Sequence, residues 1–122
     1  MEKRPAYGIG VDIEGIARFR KLDRKRNAAF FTKVFTRKEL DYCFSRPDAA
    51  QHLAARFAGK EAVIKALSGL GKKHPGHSKI EIARRKDGAP SVRLPLKGIS
   101  VAISLSHANG SAVAFAVATR AE

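Results

Sequence analysis

A chain of 122 residues, 44% hydrophobic, carries one domain's worth of core, and the span 1–122 reads as a single domain. Its apolar runs are too short to cross a bilayer, no apolar segment follows the basic N-terminus Met1-Glu2-Lys3-Arg4-Pro5, and Cys43 is the single cysteine. A membrane span, a secretory leader and an intramolecular disulfide are therefore not expected, and the cytoplasm is. The formal net charge of +13 costs self-repulsion and points to an anionic counterpart: nucleic acid, an anionic membrane, an acidic protein or a polyphosphate ligand.

Residues Tyr7 to Ile13 alternate as a strand, with Tyr7, Ile9, Val11 and Ile13 on one face and Gly8, Gly10 and Asp12 on the other. Two glycines weaken a strand, so a ligand or another backbone is expected close by, beside Asp12. The spacing of Ile16, Phe19 and Leu22 predicts a helix from Glu14 to Arg26 that carries Arg18, Arg20, Lys21, Arg24, Lys25 and Arg26. Phe30, Phe31, Val34 and Phe35 form an aromatic core cluster. Thr36-Arg37-Lys38-Glu39 has the form of a capping box opening a short helix to about Phe44. Cys43 sits in it beside Leu40, Tyr42 and Phe44, the surroundings of a buried structural thiol.

Pro47-Asp48 punctuates the chain, and a long helix follows to about Leu67, closed by Gly69. The period then changes. Ile80 and Ile82 read as a strand, Asp87-Gly88 as a tight turn, and Val92, Leu94 and Leu96 as the partner strand. Val101, Ile103 and Leu105 alternate again, Asn109-Gly110 marks a second hairpin, and Val113, Phe115 and Val117 return. One strand, then helices, then a mainly antiparallel C-terminal sheet is an α+β order.

On a helical wheel Leu53, Phe57, Ile64 and Leu67 make the buried stripe of the long helix, and Glu61, one turn from both Phe57 and Lys65, lies at its border. Taken alone, Glu61 with Lys65 is a surface ion pair and Asp12 is a helix cap. Taken together, the two carboxylates match what Mg²⁺ asks of a protein: one or two carboxylates, with phosphate oxygens and water completing the shell. Lys65 as a point charge and Arg56 as a fork suit phosphates, although Arg56 leaves the helix on a different side from Lys65. His107 ends a strand just before a turn, where a histidine is more often a structural hydrogen-bonder. His52, His74 and His77 have no metal-ligand spacing, and His74-Pro75-Gly76-His77 reads as an exposed loop.

Gly8-Ile9-Gly10-Val11-Asp12 with Arg18, Arg56-Phe57-Ala58-Gly59-Lys60-Glu61-Ala62-Val63-Ile64-Lys65-Ala66, and Ser104-Leu105-Ser106-His107 occur in this order over nearly the whole chain. In this the chain resembles the holo-[acyl-carrier-protein] synthase family of 4′-phosphopantetheinyl transferases, of the short trimeric bacterial type. It departs from that pattern at Ser68-Gly69-Leu70-Gly71 and in the short link between Leu96 and Ser100. The resemblance implies transfer of 4′-phosphopantetheine from coenzyme A to a serine of apo-acyl carrier protein. It implies Asp12 and Glu61 as Mg²⁺ ligands and, with Lys65, as the catalytic set. It further implies Arg56, Lys65 and His107 on coenzyme A, Arg18, Lys21 and Lys25 as the dock for an acidic carrier protein, and a homotrimer with sites between subunits.

Two other readings compete. A basic nucleic-acid-binding module would explain the charge, but the chain has no zinc-finger spacing, no RNP signature and no aromatics interleaved with its basic residues. An inactive carrier-protein-binding homologue would not need both carboxylates. Specific nucleic-acid binding is not expected.

Overall fold

The structure is a computed structural model that describes residues 5–121, and the basic segment Met1 to Arg4 lies outside the described residues. Strand β1 (Tyr7–Gly15) is followed by helices α1 (Ile16–Arg20), α2 (Ala28–Val34), α3 (Arg37–Ser45) and α4 (Ala49–Gly69). A 3₁₀ turn (His77–Lys79), the hairpin of β2 (Glu81–Arg84) and β3 (Pro90–Arg93), and the long hairpin of β4 (Ile99–Ala108) and β5 (Ser111–Arg120) complete the chain. The first strand joins the last two in an antiparallel sheet of order β1-β5-β4, with Tyr7 opposite Thr119 and Gly15 opposite Ser111. The α+β order stands, and α4 is its axis, packed across the inner face of the sheet.

The glycines of β1 are explained by that packing. A Cβ on Gly8 would stand 1.9 Å from the Ala66 carbonyl oxygen, and one on Gly10 would stand 1.9 Å from that of Ala62. The close neighbour anticipated beside Asp12 is thus the backbone of α4. Small residues continue the contact: Ala58, Ala62 and Ala66 of α4 and Ala114, Ala116 and Ala118 of β5 are all fully buried. The stripe Leu53, Phe57, Ile64, Leu67 is therefore only part of the buried surface of α4. Leu53 and Leu67 are in the core, Phe57 and Ile64 are half-buried, and the alanine face carries the sheet. The opposite face of the sheet shows large apolar side chains to solvent, with Tyr7, Ile9, Val11, Ile13 and Phe115 between 46% and 64% exposed.

The helix predicted over Glu14 to Arg26 is not formed as such. Glu14 and Gly15 complete β1, α1 has five residues, and the chain turns from Lys21 onward. The Asp23 carboxylate accepts the backbone N–H groups of Lys25 at 3.0 Å and Arg26 at 2.8 Å, while Asn27 Oδ1 accepts that of Asp23. Short polar side chains competing for backbone donors end a helix, and six cations along one would have repelled each other. Arg18, Lys21 and Lys25 accordingly do not share successive helical turns.

The other elements follow their local chemistry. The Thr36 hydroxyl accepts from the Glu39 N–H at 3.2 Å and Glu39 accepts from the Thr36 N–H at 2.8 Å, a complete capping box on α3. Glu39 is buried and also accepts the Ile82 N–H at 2.8 Å, tying α3 to β2. Helix α4 is closed not at Gly69 but by Leu70 as its C-cap and Gly71 (φ 74°) just after it, with Lys72 N–H on the Leu67 carbonyl and Gly71 N–H on that of Ser68. Strand β3 stops at Arg93, short of Leu94 and Leu96, because Pro95 has no N–H for a ladder; both leucines still pack on the core. Asn109 (φ 51°) and Gly110 (φ 81°) make the two-residue turn of the long hairpin. Cys43 is buried and its thiol is pushed up to about 12 by burial, as a structural cysteine should be. Among the described residues, no helix is long and apolar enough to cross a membrane.

Gly10→Ala should destabilise the protein by roughly 3 kcal/mol or more through overpacking against the α4 backbone. Gly15→Ala, with nothing within 4 Å of the new Cβ, should change stability little. Thermal melting of the two variants checks this, and equal melting temperatures would refute the close-approach account.

Candidate active site at the β1–α4 junction

Asp12 follows Gly10 on the inner face of β1, so the contact that seats Gly10 on α4 carries its carboxylate to the flank of that helix. Its side chain is only 15% exposed; Oδ1 lies 3.7 Å from Lys65 Nζ, and Oδ2 is buried without a hydrogen-bond partner. Lys65 Nζ also donates to the Val11 carbonyl at 3.0 Å. Glu61, one turn before Lys65, is half-buried at the edge of α4, with Oε1 3.0 Å from His77 Nε2. Asp12 and Lys65 thus meet at the β1–α4 junction, with Glu61 one turn before Lys65 on the same helix.

Glu14 joins them. It lies two residues beyond Asp12 on the same strand face, and its side chain is 14% exposed. Its carboxyl is pushed up to about 7, first by burial, then by the hydrogen bond with Asp12 and by the charge of Asp12. Glu61 adds to the rise, while Arg18, at 3.1 Å from Glu14 Oε1, opposes it. Carboxylates brought this close are short of positive charge.

The donor set suits a hard divalent cation. It is all oxygen, one buried carboxylate oxygen of Asp12 has no partner, and the flanking lysine is held off by a backbone carbonyl. Among the described residues, no group of three or more His, Cys, Asp or Glu side chains forms a ready-made metal site. Asp12 and Glu61 would therefore share the ion with ligand oxygens and water, the usual arrangement for Mg²⁺.

Arg56 and His107 lie elsewhere. Arg56 precedes Lys65 by nine residues, roughly 180° around the helix. It is 5% exposed, its guanidinium lies over the Tyr42 ring at 4.4 Å from the centroid, and its Nε is buried without a hydrogen-bond partner. With Tyr42, His52, Arg84 and His107 it lines a cavity of about 260 Å³. His107 Nε2 is 2.9 Å from Gln51 Nε2. Within one chain the basic cavity and the carboxylates stand on different flanks of α4. Of the three docking candidates, Lys21 and Lys25 are exposed, while Arg18 is tied to Glu14 and lies over Phe57 at 5.2 Å.

The same architecture is found in known proteins. Residues 8–118 match the family model of the 4′-phosphopantetheinyl transferase superfamily. The chain belongs to that superfamily. It is 46% identical over 114 residues to a holo-[acyl-carrier-protein] synthase of Thermodesulfovibrio yellowstonii, covering 92% of this chain and 97% of that protein. It is 47% identical over 112 residues to one of Chlorobaculum parvum, covering 89% and 95%. The crystal structure of the Helicobacter pylori holo-[acyl-carrier-protein] synthase in complex with coenzyme A superposes with a TM-score of 0.77 at 30% identity, covering 91% of this chain and 99% of that one.

Glu14 and His77 were missed from the sequence. Glu14 falls in the helix predicted over Glu14 to Arg26; continued by two residues, the alternation of β1 places it on the face of Asp12. His77 carried no local signal, because its contact with Glu61 crosses the loop after α4, and that loop is half-buried rather than exposed.

The raised carboxyl of Glu14 has a measurable consequence. Between the ordinary 4.5 and about 7 the folded chain keeps a proton that the unfolded chain has released, so this group's contribution to stability falls as pH rises through that window. In cation-free protein, Glu14→Gln should lose less stability than the parent between about pH 5 and about pH 8. Parallel pH profiles in thermal melting would contradict this.

Proposed function

We infer that the chain is a holo-[acyl-carrier-protein] synthase. It transfers the 4′-phosphopantetheine group of coenzyme A to a serine hydroxyl of apo-acyl carrier protein. The serine oxygen bonds to the phosphorus nearer the pantetheine, the pyrophosphate bridge breaks, and adenosine 3′,5′-bisphosphate leaves. The observation that carries this reading is the convergence of Asp12, Glu61 and Lys65 at the β1–α4 junction, in a chain that matches such synthases over nearly its whole length.

The reaction asks for positive charge at a pyrophosphate more than for covalent chemistry. Asp12 and Glu61 would hold a divalent cation, Mg²⁺ by the chemistry of the donors, which when bound supplies charge to the pyrophosphate oxygens. Lys65, 56% exposed, is free to turn from Asp12 to the phosphate whose charge grows as the bridge breaks. Arg56, with its unpartnered Nε, and His107 suit the phosphates of coenzyme A at the basic cavity. Lys21 and Lys25, with Arg18 at the margin, offer an exposed basic surface to an acidic carrier protein, which steers encounter more than it adds affinity.

The apolar outer face of the sheet supports an interface between subunits, in keeping with the homotrimer that the family resemblance implies. A contiguous patch formed by Tyr7, Ile9, Val11, Ile13 and Phe115 is the mark of an interface, and its Tyr and Phe are residue types enriched in interface cores. Assembly through it would bring the basic cavity of one subunit toward the carboxylates of the next, joining halves that one chain keeps apart.

Incubation with apo-carrier protein, coenzyme A and Mg²⁺ should add one phosphopantetheine to the carrier's intact mass. Excess chelator should abolish the gain, and Asp12→Ala should slow it by roughly 100-fold or more without unfolding the protein. Full transfer in chelator would overturn the metal-assisted reading. A charge in the outer face, Val11→Glu, should yield a smaller species in light scattering and lower activity together; an unchanged particle mass would contradict the proposed interface.

A further inference from the structure

Lys60 and Glu61 are consecutive on α4 and project to different sides, yet both end on one residue, His77. Lys60 is fully buried and paired with the Glu39 carboxylate at 2.7 Å; its Nζ donates to the His77 carbonyl at 2.9 Å and to the Ile80 carbonyl. The His77 ring lies nearly flat on Phe57, with centroids 6.0 Å apart and planes 12° from parallel, and its Nε2 is 3.0 Å from Glu61 Oε1. An ionised carboxylate only accepts, so Nε2 carries the proton and donates. The backbone of His77 is thus pinned by a buried ion pair, its plane by an aromatic face, and its edge by Glu61.

None of the transfer chemistry above uses His77, and the loop between Leu70 and the 3₁₀ turn has no regular structure to hold it. The imidazole so fixed presents Nε2 to the Glu61 carboxylate. We propose that His77 is a positioning residue that sets the Glu61 carboxylate by donating to Oε1 and leaves the second oxygen for the cation shared with Asp12. The proposal rests on the reading that Asp12 and Glu61 hold a divalent ion. A ligating carboxylate held by an outer hydrogen bond starts in its binding rotamer, and loss of such a partner typically weakens metal binding about 10- to 100-fold. The Glu39–Lys60 pair thereby gains a second task beyond joining α3 to α4: it fixes the loop from which the imidazole acts.

The test is Mn²⁺ binding to the full chain without coenzyme A, with free Mn²⁺ counted by electron paramagnetic resonance. His77→Phe keeps a ring to stack on Phe57 but has no donor, and should bind Mn²⁺ roughly 10-fold or more weakly with an unchanged melting temperature. His77→Gln, whose amide nitrogen falls near the place of Nε2, should stay within about 3-fold of the parent on the same reasoning. His77→Asn, too short to reach Glu61, should lose affinity as His77→Phe does, which keeps the test open if the phenylalanine variant fails to fold. Parent-like affinity in both His77→Phe and His77→Asn, or equal loss in His77→Gln, would overturn the proposal. Asp12→Ala separates the two readings: if the parent binds Mn²⁺ and Asp12→Ala does not, the metal reading stands whatever His77 does. If the parent itself binds none, both fall.

Discussion

The packing of β1 against the backbone of α4 is the constraint on which the rest of the site depends. Gly8 and Gly10 have no room for a Cβ against the carbonyls of Ala66 and Ala62, and the alanines of α4 and β5 keep the layer thin. Moving the strand outward by the depth of one methyl group would carry Asp12 away from Glu61 and Lys65. The proposed Mg²⁺ would tolerate little error, with ligand oxygens at about 2.0–2.1 Å, so both carboxylates would have to come from rigid elements. The glycines of β1 weaken a strand in isolation and here let it lie directly against α4.

Around this axis the charges are sorted. Acids collect at one edge of α4, where burial first, then Asp12 and last Glu61 push the Glu14 carboxyl up to about 7. Cations collect at the other, where Arg56, Arg46 and Arg84 all lie over the Tyr42 ring. Such a separation is unfavourable in an empty site and would become favourable if the proposed divalent ion and the pyrophosphate of coenzyme A shared it, which is the sense of preorganisation for phosphoryl transfer. The exposed apolar face of the sheet gives the proposed trimer a means of bringing the two edges together between neighbouring subunits.

Much of this was legible in the sequence. The capping box at Thr36, the turn at Asn109-Gly110 and the alternation of β4 and β5 are local signals, and each element formed where its signal lay. The positions of Asp12 and Glu61 were legible because a strand period and a helix period each put one carboxylate on an inward or border face; their role as a site is a proposal. What failed depended on competition or on distance. The helix over Glu14 to Arg26 lost to the backbone hydrogen bonds of Asp23 and Asn27, and with it went the view of Glu14 as a strand residue. The burial of Lys60 and its hold on the His77 carbonyl depend on Glu39, brought in from another helix, and no spacing along the chain announces such a contact.

The central claim is that Asp12 and Glu61 share one divalent cation at the β1–α4 junction. Crystals grown with Mn²⁺ and coenzyme A, measured for anomalous scattering at the manganese edge, test it most directly. The account predicts one peak per site within bonding distance of a carboxylate oxygen of each residue and of the pyrophosphate. A fully bound coenzyme A with no peak there, or with manganese on other side chains, would contradict it.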